Sequence, residues 1–525
     1  MDKILCKAQL NAAQALFQKA LTHQTKKILI CAGTGCVAGG SLQIYDKLIA
    51  DMMERNINVT IELDYEHDED NVSMKKSGCH GFCEMGPLLR VEPQGWLYLK
   101  VKLEDCEEIM EKTIIGNEPV TRLMYRHGKE IFQCQDEIPF YHQQTRVVLE
   151  HCGHSDAESI EEYIAGGGYQ AVAKCLFDME PTQIIEEIRS SSLRGRGGGG
   201  FPAATKWEQV ARQKETTRYI VCNGDEGDPG AFMDRSIMEG DPHKVIEGMV
   251  IAGIATGAHD GYFYVRAEYP LAVNRLKIAI EKAEAAGLLG DNIMGSDFSF
   301  KMHINQGAGA FVCGEGSALT ASIEGNRGMP RVKPPRTVEQ GLFGKPTVLN
   351  NVETFANVTV IMNMGAEEYV KIGPAKNHGT KAFALTGNVC NTGLIEVPMG
   401  TTLRQVIFDI GGGIKNGKKF KAVQIGGPSG GCLTEEHLDL PLDFDSLKAA
   451  GAMIGSGGLV VMDEDTCMVE IARFFMHFTQ NESCGKCVPC REGTKVMRRI
   501  LENIVAGKGK VEDLDTLLEL AETIA

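Results

Sequence analysis

The pattern of hydrophobic and polar positions predicts a small α/β domain over residues 1–115. An Ala- and Gln-rich helical segment is followed by an apolar strand, a Gly-containing loop, a second helix and an alternating strand. The predicted elements are a helix at Asn11 to Leu21, strands at Lys26 to Cys31 and Val59 to Tyr65, a helix at Ser41 to Arg55, and hairpin strands at 88–91 and 96–99.

Four further segments follow in the pattern. Residues 116–175 form a polar connector with few periodic signals. Strand and helix patterns alternate over 176–375, which predicts a second α/β domain. Residues 376–455 predict a compact α+β module, and residues 456–525 are helical by period apart from a cysteine-rich interruption. The predicted elements of the module are strands at Lys381 to Val389 and Phe420 to Ile425 and a helix at Thr402 to Ile410.

Composition narrows the function classes. The net charge of −16 argues against nucleic acid or an anionic membrane as the main partner. No apolar run reaches the roughly 18 residues of a membrane span, and no export signal is visible. We therefore expect a cytoplasmic protein without a membrane span, whose 17 cysteines serve partly as metal ligands rather than as disulfides.

The cysteine-rich interruption has the spacing C-x2-C-x2-C at Cys484, Cys487 and Cys490. Three thiolates at this spacing can hold three corners of a [4Fe–4S] cluster, and a fourth ligand is needed. Cys490 is the last cysteine of the sequence, so we expect either that the cluster borrows its fourth ligand or that this ligand lies beyond Ala525. The spacing predicts electron transfer. Cys467, in an acidic turn before this segment, is a candidate zinc ligand.

Two tighter cysteine pairs lie in the N-terminal domain, Cys31-x4-Cys36 and Cys79-x3-Cys83. Both pairs fall in Gly-containing loops, where backbone N–H groups can approach sulfur. Four thiolates in two pairs suit a [2Fe–2S] cluster, and a structural zinc ion is the alternative. The spacing and loop context resemble the thioredoxin-like [2Fe–2S] ferredoxin domain.

A run of glycines follows the predicted helix near residue 185. Gly195-x-Gly197-x-x-Gly200 matches the dinucleotide fingerprint by letter, but a helix rather than a strand precedes it. Four consecutive glycines remove every Cβ from one wall, so backbone N–H groups can face a phosphate or a flat ring. The loop therefore predicts a ligand cradle in a fold other than the Rossmann unit.

Three more segments carry acids, amides and glycines close together: 222–230, 306–315 and 346–353. Each alone is compatible with turn chemistry. Together they provide acceptors and amides suited to the hydroxyls of a ribityl chain and to the amide edge of a flavin.

The segments Arg194 to Trp207, Asn223 to Gly230, Gly307 to Glu315, Pro346 to Glu353 and Cys484 to Arg491 occur in the order of one family. From about residue 150 the chain resembles the NADH-oxidising flavin subunit of respiratory complex I and its relatives in soluble hydrogenases and formate dehydrogenases. The resemblance implies an FMN- and NAD-binding α/β domain, a β-grasp module of the SLBB type, and a C-terminal helical bundle that holds [4Fe–4S].

The fused N-terminal [2Fe–2S] domain most resembles the β subunit of electron-bifurcating [FeFe]-hydrogenases. Those relatives continue into a two-cluster ferredoxin domain, so we expect the natural chain to be longer than the sequence. The resemblance implies a cytoplasmic hetero-oligomer with a hydrogenase catalytic subunit, a small [2Fe–2S] subunit and ferredoxin as partners.

The resemblance also assigns cofactor contacts residue by residue. Those expected at FMN are Gly195, Gly197, Gly198, Lys206, Asn223, Asp225, Gly314, Glu315, Asn350 and Asn351. Those expected near the dinucleotide are Phe201, Glu226, Asp228 and Arg336. Asp228 replaces the glutamate of complex I, and Arg336 replaces an aromatic residue, so NAD and NADP are not distinguished.

The function implied is hydride exchange between NAD(P)H and FMN, followed by transfer of single electrons to iron–sulfur clusters. No side chain is expected to act as a catalytic acid or base. Two alternatives stay open. One is a diaphorase subunit of an NADP-reducing hydrogenase or an NAD-dependent formate dehydrogenase, and the other is a non-catalytic iron–sulfur carrier or scaffold.

Overall fold

A five-stranded mixed sheet forms the centre of the N-terminal unit. The structure, a computed structural model, describes residues 1–66 and 70–524. The sheet order is β2-β3-β1-β4-β5, with the first three strands parallel and the last two antiparallel. The elements are α1 (Lys7–Thr22), β1 (Gln24–Cys31), α2 (Thr34–Ala38), α3 (Ser41–Glu54), β2 (Val59–Thr60), β3 (Asn71–Ser77), β4 (Leu89–Glu92), β5 (Trp96–Tyr98) and α4 (Cys106–Glu108), which continues as π-helical turns over Ile109–Ile115.

Strand β3 was absent from the sequence prediction because its buried side chains are polar. Lys75 is fully buried, and its Nζ donates to the carbonyl of Ile61 at 2.6 Å and lies 3.3 Å from Glu162 Oε1. Lys27 also contacts this carboxylate, at 2.7 Å. Burial raises the pKa of Glu162, but the two lysine charges outweigh burial and lower it to about 2. A lysine-rich strand can therefore be central because a carboxylate from another unit neutralises it.

The segment predicted as a polar connector contains ordered elements that pack into the main core. Leu149, Ile164 and Tyr169 are fully buried there. Its elements are β6 (Tyr125–His127), β7 (Glu130–Phe132), α5 (Pro139–His142), α6 (Ile160–Ala165) and α7 (Gln170–Phe177).

The next unit is built on a four-stranded parallel sheet of order β10-β9-β8-β11. Successive strands are added in one direction from β8 to β10, and β11 then joins the opposite side of β8. A crevice opens at such a reversal, outside the carboxyl ends of the strands. The elements are α8 (Pro181–Ser190), α9 (Ala203–Ala211), β8 (Tyr219–Gly224), α10 (Met233–Gly240), α11 (Pro242–Thr256), β9 (Asp260–Arg266), α12 (Pro270–Ala285), β10 (Lys301–Gly307), α13 (Gly316–Ile323), β11 (Thr347–Asn351), α14 (Val352–Met364) and α15 (Ala366–Tyr369).

A second mixed sheet, of order β13-β12-β16-β14-β15, follows. Its two strand predictions are confirmed, whereas the predicted helix at Thr402 to Ile410 is a short π-helical stretch, Gln405–Ile410. The elements are β12 (Thr380–Gly387), β13 (Gly393–Pro398), β14 (Phe420–Ile425), β15 (Gly431–Thr434), α16 (Phe444–Ala449) and β16 (Gly458–Asp463).

Three helices complete the described chain, α17 (Met468–Glu482), α18 (Val488–Val505) and α19 (Glu512–Ile524). Cys484 and Cys487 lie in the turn between α17 and α18, and Cys490 lies in the first turn of α18. Over residues 1–66 and 70–524, no helix is both long enough and apolar enough to cross a bilayer.

The units meet where glycines bring two backbones together. A Cβ on Gly78 would lie 2.3 Å from Gly240 Cα, which joins the first unit to the end of α10. A Cβ on Gly393 would lie 2.0 Å from the carbonyl oxygen of Gly81. Because these neighbours are backbone atoms, no side-chain movement can make room for the Cβ.

We expect Gly78→Ala to lower the free energy of unfolding by about 1–3 kcal/mol, because overpacking forces the two backbones apart. Gly35→Ala is the matched control, since a Cβ at Gly35 meets no atom within 4 Å. Urea unfolding of both variants checks this. Equal urea midpoints for the two variants would contradict the close backbone contact between Gly78 and Gly240.

Candidate cofactor site

A cavity of about 660 Å³ opens at the carboxyl ends of β8 and β11, where the strand order reverses. Its volume suits a cofactor-sized ligand. The glycine loop forms one wall, the segment after β8 forms the second, and α17 with the start of α18 closes the third. The lining residues are Gly197–Gly199, Asn223, Asp225–Asp228, Asp234, Phe311, Val312, Gly314, Glu315, Asn351, Gly426, Pro428, Ser429, Met453, Gly455, Ser456, Met476, Phe478, Thr479, Glu482, Ser483 and Cys490.

The glycine loop is a closed turn that packs tightly against its neighbours. Gly195 N donates to the carbonyl of Phe201 at 2.9 Å, which closes the loop. A Cβ at Gly197 would lie 2.9 Å from Asn351 Cβ, and one at Gly198 would lie 3.0 Å from the carbonyl carbon of Gly455. Gly199 differs, because a Cβ there meets nothing within 4 Å and the residue lines the cavity. The loop therefore presents bare backbone to the cavity, which fits a flat ring or a phosphate.

Asp225 supplies the clearest unmet hydrogen-bonding capacity in the cavity. Both of its carboxylate oxygens are buried without a hydrogen-bond partner among the described residues. Burial raises the pKa of this carboxyl to about 7, despite the opposing charge of Arg266. Buried acceptors are normally satisfied, so an exception calls for a ligand that donates. The hydroxyls of a ribityl chain are such donors.

The amides predicted at FMN divide into lining and supporting residues. Asn223 lines the cavity, and its Nδ2 donates to the carbonyl of Gly314 at 2.9 Å. Asn351 also lines it and donates to Asp234 Oδ2 at 2.5 Å, while its Oδ1 caps α14. Asn350 lies behind the wall, where its Oδ1 accepts from Trp207 Nε1 at 3.3 Å.

The other residues predicted to contact FMN fall into two groups, those that line the cavity and those that do not. Gly314 and Glu315 line the cavity, and the Glu315 carboxylate caps α13 through Ser317 N and Ala318 N. Lys206 and Gly195 are not among the lining residues. The Lys206 ammonium donates to the carbonyl of Leu349 at 2.9 Å, and burial lowers its pKa.

The residues predicted near the dinucleotide do not all reach the cavity. Glu226 lines it and accepts from the first backbone N–H groups of α10, and Asp228 lines it and accepts from Ser456 Oγ at 2.7 Å. Burial raises the pKa of both carboxyls. Phe201 is 45% exposed and Arg336 is exposed, and neither lines the cavity.

Three lining residues that the sequence analysis did not assign lie opposite the glycine loop. The rings of Phe311 and Phe478 meet edge-on with centroids 5.2 Å apart, and Glu482 Oε2 accepts from Phe311 N at 2.9 Å. Glu482 and Phe478 belong to no motif, because α17 is an ordinary amphipathic helix by sequence. Their role follows from the docking of α17 over the crevice.

One of the three cysteines of the C-terminal motif, Cys490, reaches the same cavity, whereas Cys484 and Cys487 are not among its lining residues. Cys490 lines it directly, and its Sγ lies 3.4 Å from Ser483 Oγ. Arg491 steadies the ligand turn by donating to the carbonyl of Gly485 at 2.6 Å. The first turn of α18 therefore places one thiol of the motif, that of Cys490, at the wall of the cavity that the glycine loop also lines.

The four N-terminal cysteines are gathered by the loops after β1 and β3. Cys79 Sγ lies 4.0 Å from Cys83 Sγ. Hydrogen bonds from the thiols of Cys31 and Cys83 hold the pKa of Cys79 well below its usual value. A Cβ on Gly86 would lie 2.6 Å from Cys36 Sγ, so the loop passes directly over sulfur.

Four thiolates are the donor set of a [2Fe–2S] cluster and also of a structural zinc ion. Within residues 1–66 and 70–524, no three His, Cys, Asp or Glu side chains are grouped closely enough to hold one metal ion. Cys467 is exposed at the start of α17 without a converging partner in the described chain, so the zinc prediction gains no support.

Comparison with known families identifies the class of protein. The Nuo51 FMN-binding domain matches residues 188–360, the NADH-ubiquinone oxidoreductase-F iron-sulfur binding region matches 470–525, and the SLBB domain matches 383–433. The fold and cavity thus belong to a flavin- and iron–sulfur-dependent oxidoreductase subunit, with FMN and [4Fe–4S] as its cofactors.

Individual relatives narrow the family. The NADP-reducing hydrogenase subunit HndC of Solidesulfovibrio fructosivorans is 54% identical over 381 residues, which cover 73% of this chain and 77% of the relative. An F-type subunit of the NADH-quinone oxidoreductase of Rhizobium meliloti is 46% identical over 378 residues, covering 72% and 90%. A crystal structure of an air-oxidized NAD+-reducing [NiFe]-hydrogenase matches with a TM-score of 0.62 and 28% identity, covering 98% of this chain and 82% of the other. The chain belongs to the family of F-type NADH-quinone oxidoreductase subunits and their hydrogenase counterparts.

We expect Gly199→Val to leave the stability of the flavin-free chain unchanged and to weaken FMN binding at least about tenfold, because the new side chain enters open space at the cavity wall. Quenching of flavin fluorescence during titration measures the affinity. Gly35→Val is the matched control, since a Cβ there also meets nothing within 4 Å and Gly35 is outside the lining. Equal flavin affinity of the Gly199 variant and wild type would contradict the cradle.

Asp225→Asn tests the unpaired carboxyl through pH. A carboxyl whose folded pKa is about 7, against an ordinary 3.8, leaves stability unaffected below pH 3.8 and destabilises the fold increasingly as pH rises to about 7. We expect the flavin-free variant to be more stable than wild type at about pH 8, by up to about 4 kcal/mol, with the gap closing toward about pH 4. Urea unfolding across this pH range is the measurement. A pH-independent difference would refute the assignment.

Proposed function

We propose that this chain is the NAD(P)H-linked flavin subunit of a cytoplasmic hydrogenase. FMN, when bound, supplies hydride exchange with the nicotinamide and one-electron transfer to the clusters. The chain's own residues cradle the ring with Gly197–Gly199, accept ribityl hydroxyls with Asp225, and hold a [4Fe–4S] cluster at Cys484, Cys487 and Cys490. No side-chain acid or base is required.

One observation carries this proposal: Cys490 lines the same cavity as Gly199 and Asp225. An electron acceptor held by Cys490 is therefore adjacent to the flavin site, with no intervening domain. The position of the N-terminal unit supports a second route for electrons from the flavin, toward the N-terminal cysteines. Helix α10 begins at the cavity with Asp234 and ends at Gly240, against the cysteine loop at Gly78. Eight helical residues span about 12 Å.

The aromatic pair Phe311 and Phe478 and the acids Glu226 and Glu482 also line the cavity. We propose that the nicotinamide enters here, where aromatic surface excludes water beside the flavin. This replaces Phe201 and Arg336, which lie outside the cavity, as the first candidates for dinucleotide contacts.

We further propose assembly with a hydrogenase catalytic subunit and a small [2Fe–2S] subunit, with ferredoxin as a second electron carrier and electron bifurcation as the overall reaction. The identity of 54% to an NADP-reducing hydrogenase subunit supports the hydrogenase setting. The same relative favours a second candidate, NADP reduction without bifurcation. The 17 free cysteines are consistent with the reducing cytoplasm.

The test is an anaerobic titration of the purified, flavin-loaded chain with NADH and with NADPH. We expect the flavin absorbance to bleach and reduced-cluster EPR signals to follow. Cys490→Ser is expected to retain flavin bleaching and to lose the [4Fe–4S] signal, so electron transfer to external acceptors falls at least about tenfold.

Two outcomes would contradict the proposal. A flavin-loaded chain that stays oxidised with both nucleotides would indicate a scaffold or carrier. An unchanged [4Fe–4S] signal in Cys490→Ser would remove Cys490 from the cluster. Cys432→Ser, which makes the same exchange at an exposed cysteine outside the cavity, is the matched control and is expected to keep both signals.

A further inference from the structure

Arg146 has a buried guanidinium with no partner among residues 1–66 and 70–524. Its Nε, Nη1 and Nη2 atoms are all buried, and none makes a hydrogen bond. No carboxylate forms an ion pair with it in this part of the chain. Five N–H donors with a full positive charge are therefore left without an acceptor or a counter-charge. Buried charges are normally paired, so this arginine lacks something that is anionic and accepts hydrogen bonds.

The guanidinium lies beside the N-terminal cysteine loop. Arg146 Nη2 is 3.7 Å from the position of a Cβ on Gly81, the residue midway between Cys79 and Cys83. Gly81 has a φ of +96°, and a Cβ there would also lie 2.6 Å from the carbonyl of Leu394. Residue 81 therefore has to be glycine, and the Arg146 guanidinium lies beside this point of the loop.

A second unpaired donor lies at the same place. The hydroxyl of Tyr141 is buried and makes no hydrogen bond in the described chain. The ring of Tyr141 meets the ring of Phe82 edge-on with centroids 5.9 Å apart, and Phe82 lies between Cys79 and Cys83 in the chain. The hydroxyl therefore belongs to a side chain that packs against the cysteine loop.

The backbone around Arg146 is locked. Thr145 N donates to the carbonyl of Glu396 at 3.0 Å, and the carboxylate of Glu396 accepts from Val147 N, Val148 N and Leu149 N at 3.1, 3.0 and 2.9 Å. Glu396 is fully buried on β13. The backbone on both sides of Arg146 is therefore fixed, which limits where its side chain can lie.

We propose that Arg146, assisted by the Tyr141 hydroxyl, donates hydrogen bonds to the sulfurs of the [2Fe–2S] cluster held by Cys31, Cys36, Cys79 and Cys83 and so raises its reduction potential. A cluster with four thiolates is anionic and becomes more so on reduction. A buried cation with N–H donors stabilises the reduced form more than the oxidised form, and such donors are established determinants of cluster potential. This proposal rests on the predicted assignment of a [2Fe–2S] cluster to these four cysteines.

The experiment is an EPR-monitored redox titration of the full, cluster-loaded chain. Arg146→Gln is expected to lower the reduction equilibrium constant of the [2Fe–2S] centre at least about tenfold, a fall of about 59 mV for a one-electron couple. Arg146→Lys keeps the charge and loses the planar donors, so a smaller fall is expected. Tyr141→Phe, which removes only the hydroxyl, is also expected to give a smaller fall.

Arg122→Gln is the matched control. It removes the same charge from the same unit, but at a half-exposed ion pair with Asp105 and Glu108, and is expected to leave the potential unchanged. A potential of Arg146→Gln equal to that of this control would overturn the proposal.

Further outcomes separate the failure modes. If Arg146→Gln fails to retain iron, the potentials of Arg146→Lys and Tyr141→Phe test the proposal instead. Unchanged potentials in both variants would overturn it. If the wild-type chain itself shows no [2Fe–2S] signal, the cluster assignment fails, and the arginine hypothesis falls with it. A wild-type signal with unaltered variants refutes only the role of Arg146.

Discussion

The cofactor sites depend on one packing constraint: the units of this chain meet backbone to backbone. Gly78 lies against Gly240, and Gly198 lies against Gly455, at distances that admit no Cβ. The first contact carries a cysteine loop and the second carries the glycine cradle. Because the residues that join the units are also those beside the ligands, docking of the units and formation of the sites are the same event.

Buried charges decide which docking is allowed. Lys381 on β12 and Glu353 on α14 form a fully buried ion pair that joins the second mixed sheet to the parallel-sheet unit. Glu162 on α6 neutralises two lysines of the first sheet. Breaking either contact would leave an uncompensated charge in the interior, which commonly costs about 3–5 kcal/mol. Apolar surfaces alone would tolerate sliding, whereas these pairs specify one relative orientation.

Two buried charged groups beside the proposed cofactor sites lack hydrogen-bond partners among the described residues. Asp225 is an acceptor without donors at the large cavity, and Arg146 is a donor without acceptors at the cysteine loop, within the part of the chain that the structure describes. Buried polar groups are thus left without partners where a cofactor would complete the site. Cofactor binding is therefore expected to stabilise the fold, because the cofactor binds the folded chain and not the unfolded chain.

The sequence by itself determined the fold class, the cysteine spacings, the glycine cradle and the family, because these depend on local geometry within single loops or on periodicity within single elements. It missed strand β3, whose buried side chains are mostly polar. The placement of Phe201 and Arg336 near the dinucleotide stays a prediction, since neither residue lines the cavity. Only the tertiary structure brought Phe478 and Glu482 to the cavity and Arg146 to the cysteine loop. Whether a side chain reaches a shared site depends on how segments that are distant in sequence pack together. The short-range pattern of the sequence does not specify that packing.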